Sequence, residues 1–199
     1  MERTAAVLKM ILMRCRKAVA AAGLLAVLLT AGNSAIGQEN GFSEYHVKAL
    51  FLYNFAKYVQ WPDEVFSNPG APITIGIVGD DNFGRNLRDV VQGRTINGRG
   101  FAIKHLLATD DPAGCQILFI SNSESSHIAQ ILTNAAAKPV LTVGEDKAFS
   151  EDGGIIDFVL KNGNVRLEIN LDSADKAGLK ISSRLLSVAD SVKRKGGHL

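Results

Sequence analysis

The strongest constraint on the fold of this 199-residue chain is a dipeptide, Asn162-Gly163, set between two segments of alternating polarity. Asn-Gly favours a two-residue β-turn, because both central positions of that turn need positive φ. After the turn, apolar residues alternate with polar ones. The apolar residues are Val165, Leu167 and Ile169, and the polar residues are Arg166, Glu168 and Asn170. The pattern predicts an antiparallel pair, 155–160 with 165–170, whose last strand has one core face and one charged, polar face.

The residues after this hairpin indicate a turn and a final helix. A short helical segment after Leu171 should stop at Gly178, because glycine adopts the left-handed conformation that ends many helices. Ser182 or Ser183 can then cap a last helix. We expect that helix to lie across the sheet, and we expect the antiparallel pair to close the sheet.

Strands and helices alternate along the rest of the chain. Apolar spacings of three and four predict an amphipathic helix that begins after Ser43 and ends at Trp61-Pro62. The predicted strands before the hairpin span 73–78, 101–106, 115–120 and 139–143, and helical segments follow at 82–91 and from 121 through 132. The expected fold is therefore a single α/β domain: a mixed sheet of about six strands, helices on its faces and a C-terminal antiparallel hairpin.

The first 37 residues have the layout of a secretory signal peptide: a basic stretch, an apolar run over 18–32 and small residues near Gly37. The apolar run is shorter than a spanning helix needs, so an uncleaved anchor is the weaker alternative. We expect an exported mature domain over 38–199. Without residues 1–37, which hold five basic side chains and one acidic one, the net charge falls from +2 to −2. That balance disfavours nucleic acid as a partner.

Catalytic and metal-binding motifs are not apparent. The four histidines are scattered and no nucleophile elbow accompanies them, so we predict neither an enzyme nor a bound cofactor. Acids after two strands, Asp80 with Asp81 and Glu145 with Asp146, could together bind a cation, but helix capping is the simpler interpretation. We therefore predict no metal site.

One cysteine, Cys115, remains beyond the signal segment, which rules out an intramolecular disulfide in the mature domain. It begins an apolar run, so a buried thiol is the simpler interpretation and a redox role the alternative. The aromatic residues of the first helix exceed one helical face, and Tyr53 and Trp61 are the best candidates among them for an interface.

Several blocks of the sequence closely resemble the YfiR family of exported proteins. They are 47–62, VKALFLYNFAKYVQWP, and 165–189, preceded by Gly153-Gly154-Ile155-Ile156, with further agreement at 115–121 and 139–143. The resemblance implies a periplasmic, non-enzymatic regulator. Such a protein holds an inner-membrane diguanylate cyclase of the YfiN kind inactive and is sequestered by an outer-membrane lipoprotein of the YfiB kind. It affects biofilm formation and motility through cyclic di-GMP. Dimers are also expected.

A partner's periplasmic domain should then dock on the polar face of the last strand and on the segment after it. The residues predicted to bind it are Phe158, Leu160, Arg166, Glu168, Asn170, Leu179, Lys180 and Ile181. For Phe158 a core position, and for Asn170 a capping role, remain alternatives. A different class of function is a small-ligand receptor with its pocket at the strand ends after Val78, Ser121 and Val143.

Overall fold

A computed structural model describes residues 43–146 and 149–194, and the backbone of 197 and 198. The predicted signal peptide, 1–37, lies outside the described residues. Within the part of the chain that the structure describes, no helix is both long and apolar enough to cross a membrane.

The first half of the domain contains α1 (Glu44–Tyr58), β1 (Val59–Gln60), a 3₁₀ turn (Asp63–Val65), β2 (Ile73–Val78), α2 (Asn86–Val91), β3 (Phe101–Leu106) and β4 (Ile117–Ile120). The second half contains a 3₁₀ segment (Asn122–His127), α3 (Ile128–Ala135), β5 (Leu141–Gly144), β6 (Ile156–Lys161), β7 (Asn164–Asn170), α4 (Leu171–Lys176), β8 (Lys180–Ile181), α5 (Ser183–Leu186), β9 (Ser191–Arg194) and β10 (Gly197–His198).

The described strands form one large sheet and one small pair. The large sheet has eight strands in the order β10-β9-β7-β6-β5-β4-β2-β3. Strands β2 to β6 are parallel to one another, and β7 returns antiparallel to β6. The separate pair is β1 with β8. The predicted α/β fold with a mixed sheet and an antiparallel hairpin is confirmed.

Helices cover both faces of the parallel strands, so the sheet has two cores. Along β4, Ile117 and Phe119 join the core beneath α1 and α2, whereas Leu118 and Ile120 join the core beneath α3. Such double burial explains why this strand reads as a continuous apolar run.

The first helix begins where the sequence predicts, but it ends before the predicted Trp61-Pro62 step because Val59–Gln60 form a strand. Ser43 caps α1, and its Oγ accepts a hydrogen bond from the His46 backbone N–H at 3.3 Å. The helix stops at Tyr58, before the Trp61-Pro62 step. Tyr45 and Lys48, near the amino end of α1, contact Glu145, which follows β5. The amino end of the helix therefore lies near the carboxyl ends of the parallel strands.

The Asn-Gly turn forms as predicted. Asn162 and Gly163 have φ values of 52° and 73°, the left-handed region that a two-residue hairpin turn requires. The register then pairs Asp157 with Glu168 and Val159 with Arg166. These four side chains lie on the sheet face opposite Phe158.

One prediction about the C-terminal segment is wrong. The hairpin does not close the sheet, because β9 lies parallel beside β7 and β10 pairs with β9. The last helix is present and is capped by Ser182 as predicted, but it is a single turn of four residues. The physical reason is the outer edge of β7, whose backbone groups need partners: the Asp190 N–H donates to the Leu167 carbonyl at 2.8 Å and starts the new pairing.

Candidate functional site

A buried ion pair lies at the carboxyl ends of the parallel strands. Glu145 follows β5 directly, and its carboxylate accepts a hydrogen bond from the Lys48 ammonium of α1. Each side chain is only 3% exposed. Lys48 also pairs with Glu44, one turn earlier on the same helix. Burial of this kind persists only when both charges are paired, since an isolated buried charge is strongly unfavourable.

Hydrogen bonds around Glu145 complete this network. The Tyr45 hydroxyl donates to Glu145 at 3.1 Å, and the Asn122 backbone N–H donates to Oε1 at 3.1 Å. Asn82 in turn donates to the Tyr45 oxygen at 3.1 Å. The network therefore ties α1 to the loops after β2, β4 and β5.

Burial and ion pairing shift the pKa values of two residues in this network. Burial by itself would lower the pKa of Lys48, but hydrogen bonds to Glu145 and Glu44 outweigh it and raise that pKa. The pKa of Tyr45 is raised, first by burial and then by the negative charge of Glu145. Lys48 is therefore charged and Tyr45 is neutral at physiological pH.

Asp157 is the exceptional residue of this region. It lies on β6 opposite Gly144 of β5, it is 2% exposed, and its Oδ1 has no hydrogen-bond partner. Its pKa is raised to about 7, first by burial and then by the charges of Glu168 and Asp146, while Lys193 acts in the opposite direction.

A cleft of about 290 Å³ opens beside these residues. Its lining is Glu44, Tyr45, Lys48, Asn122, Glu145, Asp146, Asp157, Phe158, Val159 and Leu160. Carboxylates dominate the lining, and its one cation, Lys48, is already paired. None of these lining residues is a serine, threonine, cysteine or histidine.

The cation site considered from sequence does not assemble. Glu145 is committed to Lys48, and Asp81 accepts a hydrogen bond from the Phe83 backbone N–H at 3.0 Å, as in a turn cap. Among the described residues, no three or more histidines, cysteines and acids are grouped so as to hold a metal ion.

The predicted docking residues divide between surface and core. Leu160 is 55% exposed, and Arg166 is exposed and makes no ion pair with any described residue. Glu168 is half-buried, 3.4 Å from the Lys161 ammonium. Arg166 and Glu168 lie on the same face of the β6–β7 pair and form the hairpin surface, a name we keep for these two residues below, whereas Leu160 lies on the opposite face, the one that carries Phe158.

Five of the predicted docking residues lie elsewhere. Phe158 and Leu179 are core side chains, 3% and 1% exposed, so their inclusion in a docking surface was wrong. Phe158 packs against three aromatic rings beneath α1, and the alternation of β6 places it on that face. Asn170 caps α4, because its Oδ1 accepts from the Ser173 N–H at 3.1 Å. Lys180 and Ile181 pair with β1 in the small sheet.

Comparisons with known proteins place the chain in a family. A family model described as YfiR/HmsC-like matches residues 45–190, which is most of the chain. The chain belongs to the YfiR/HmsC-like family. A search of curated proteins found no match.

One solved structure similar to this member of the YfiR/HmsC-like family, the first of the two that follow, supports the fold alone. A conserved domain protein from Vibrio cholerae O1 biovar El Tor is 14% identical with a TM-score of 0.53, and the match covers 76% of this chain and 61% of that one. A domain from Streptococcus pneumonia, crystallised with L-Trp, is 13% identical with a TM-score of 0.45, over 60% of this chain and 55% of that one.

Cys115, the one cysteine among the described residues, is an interior residue of this YfiR/HmsC-like protein. Cys115 is 3% exposed and forms no disulfide. Burial raises the pKa of its thiol, which disfavours the thiolate that redox chemistry requires. The simpler of the two sequence interpretations, a buried thiol, is confirmed.

The two aromatic interface candidates are half-buried and already engaged within the domain. The Tyr53 ring lies 5.7 Å from that of Phe101, with the Arg94 guanidinium 5.1 Å from its centre. The Trp61 indole donates to the Gln116 carbonyl at 3.0 Å. Their role in an interface stays a prediction.

Sequence reasoning missed Lys48, Glu145 and Asp157 as a group. One signal was available: Lys48 lies four and seven residues before Leu52 and Phe55, which are both fully buried. A lysine on that stripe predicts a buried carboxylate partner.

Proposed function

We propose that this protein is an exported, non-enzymatic regulator that binds the periplasmic domain of an inner-membrane diguanylate cyclase and represses cyclic di-GMP synthesis. Biofilm formation and motility would change through that second messenger. The observation that carries the proposal is the family match over residues 45–190, nearly the whole of the expected mature domain. The layout of residues 1–37 supports export to the periplasm.

The hairpin surface supports the choice of docking site. Arg166 is exposed and makes no ion pair with any described residue, so it provides a donor side chain of the kind common at binding hot spots. Leu160 adds exposed apolar area on the opposite face of the same strand pair. Both residues lie on a strand pair held rigid by the core below it, so little ordering is needed upon binding.

Two further partners belong to the same proposal. An outer-membrane lipoprotein would relieve repression by binding the regulator in competition with the cyclase. A homodimer would present two copies of the hairpin surface, with Tyr53 and Trp61 as candidate interface residues.

Titration calorimetry of the purified protein against the periplasmic domain of the cyclase encoded in the same genome tests the docking site. We expect Arg166→Glu to weaken binding at least tenfold, since it removes a donor and reverses its charge. The matched control is Arg85→Glu, at an exposed arginine before α2, and it should bind as the unaltered protein does. Equal affinities for all three proteins would rule out the hairpin surface.

A further inference from the structure

Strand β3 is an edge of the large sheet, and one side of its backbone is open. The strand pairs with β2 in unbroken parallel register along its whole length. The Ile73 N–H donates to the Gly100 carbonyl at 2.9 Å, so the backbone groups of alternate residues from Gly100 onward point towards β2. Those of Phe101, Ile103 and His105 therefore point outward, and no described residue forms hydrogen bonds with them.

This edge lacks the usual protection of an exposed strand. Native proteins block such edges with prolines, bulges, covering loops or charged side chains. Strand β3 contains no proline and no bulge, and the alternation of the strand places Lys104 on the opposite face from Ile103. The chain beyond β3 is closed, because the Leu107 N–H donates to the Asp110 carboxylate at 2.8 Å. The outward backbone groups of β3 itself are therefore free to pair with another strand.

A groove of about 760 Å³ lies beside the open edge. Phe101, Ile103 and His105 line it from β3, and Arg88 and Arg94 line it from α2 and the loop that follows. Phe101 and Ile103 also pack against the core beneath α1 and α2, so the groove is on that face of the sheet. Backbone direction and side-chain face alternate with the same period along a strand. The same three residues of β3 therefore provide both the open backbone groups and one wall of the groove.

The groove is positively charged. Arg88 is exposed and makes no ion pair with any described residue, and Arg94 contacts the Tyr53 ring, whose centre lies 5.1 Å from its guanidinium. No residue that lines the groove is acidic. The described acid in contact with a lining residue is Asp81, whose carboxylate lies 3.6 Å from the His105 ring. Two arginines without carboxylate partners favour an acidic ligand, because guanidinium groups pair well with carboxylates.

We propose that this edge binds an extended acidic segment of a partner protein, which adds to the sheet as a further strand beside β3. Its backbone pairs with the outward groups of Phe101, Ile103 and His105, and its acidic side chains, at alternate positions, pair with Arg88 and Arg94. A second copy of this chain is a poorer occupant. Two β3 edges related by a two-fold axis bring the arginines of both copies together, and their charges repel.

The test of the charges is fluorescence anisotropy at pH 8 with the fluorescein-labelled peptide Thr-Glu-Thr-Glu-Thr-Glu-Thr, whose glutamates share one face when it is extended. We expect saturable binding that weakens as salt is added. Arg88→Glu should weaken binding at least tenfold, because it replaces an attraction with a repulsion. The matched control is Arg184→Glu, at an exposed arginine outside the groove, and it should bind as the unaltered protein does.

Backbone pairing is tested separately from charge. His105→Pro removes an outward N–H and leaves the bonds to β2 in place, since proline is tolerated in an edge strand where its nitrogen faces solvent. It should weaken binding at least tenfold, whereas His105→Thr, which keeps the N–H, should bind as the unaltered protein does. In the peptide, N-methylation of the inner threonines blocks one backbone edge and N-methylation of the glutamates blocks the other. One of these two peptides should lose binding and the other should keep it.

Three results would overturn the proposal: no saturable binding to the unaltered protein, unchanged affinity in Arg88→Glu, or equal affinities for the two N-methylated peptides. A dimer in sedimentation velocity that His105→Pro converts to a monomer would also overturn it, because a second copy would then occupy the edge. Thermal unfolding checks that each variant is folded.

This edge is distinct from the hairpin surface, because β2, β4 and β5 lie between β3 and β6 in the sheet. Arg88→Glu should therefore still bind the periplasmic domain of the cyclase. Loss of peptide binding with retention of cyclase binding separates the two proposals, and either of them can fail without the other.

Discussion

At the scale of single residues, Asp157 weakens the fold that contains it. Its pKa is raised to about 7 because burial and neighbouring acids disfavour the charged form. An acid with a folded-state pKa above its unfolded value binds more protons when folded. Stability therefore falls as pH rises between the unfolded pKa near 4 and the folded pKa near 7, and it is constant above that.

Asp157→Asn should remove this pH dependence. Below about pH 4 the variant and the unaltered protein should be equally stable, and above pH 7 the variant should be more stable by up to about 4 kcal/mol. Urea unfolding at pH 4, 5, 6, 7 and 8 measures the difference. A difference that does not change with pH would show that Asp157 stays ionised throughout.

Residue positions on α1 show where sequence reasoning succeeds and where it stops. Ser43 is correctly predicted as the cap, because capping depends on local chemistry. Lys48 carries a charge, yet it is 3% exposed. Its burial depends on Glu145, nearly a hundred residues away, and helical periodicity does not identify which carboxylate pairs with it.

At the scale of elements, the loop between β5 and β6 depends on two glycines that lie against one ring. Phe149 is fully buried, and a methyl group at Gly144 or Gly154 would overlap it. The ring packs into the core beneath α3. Through these contacts the loop sets the position of Asp157 at the start of β6.

Gly154→Ala should destabilise the domain by about 3 kcal/mol, because the added methyl group forces Phe149 out of its position. Urea unfolding measures the change. Gly100→Ala is the control, since nothing lies within 4 Å of its added methyl group. In a Phe149→Leu background the cost of Gly154→Ala should fall, and an unchanged cost would mean that another contact is responsible.

Helices, strands and turns with strong local sequence patterns were predicted well. Short strands that form only by pairing with the edge of another strand were not. Strands β2 and β3 match their predicted bounds, and so does the Asn162-Gly163 turn. Strands β8 and β9 were missed, because two to four residues of mixed polarity form strands only when a partner edge is present. The predicted final helix is a single turn, and β9 follows it along the edge of β7.

At the scale of the whole molecule, the residues that the sequence predicted as one docking surface belong to two different sheets. The hairpin surface lies at the turn between β6 and β7, whereas Lys180 and Ile181 belong to the small sheet. Family membership was evident from sequence because its blocks are core and turn residues. The docking residues were only partly identified, because period-two alternation does not distinguish an exposed polar face from one covered by later strands.

Cyclase activity in membrane vesicles containing the full-length cyclase, with its periplasmic domain facing outward, is the most direct test of the central claim. We predict that the purified protein lowers cyclic di-GMP synthesis from GTP supplied inside the vesicles, and that Arg166→Glu at the same concentration does not. Arg85→Glu should repress as the unaltered protein does. Synthesis that is unaffected by saturating unaltered protein would contradict the account.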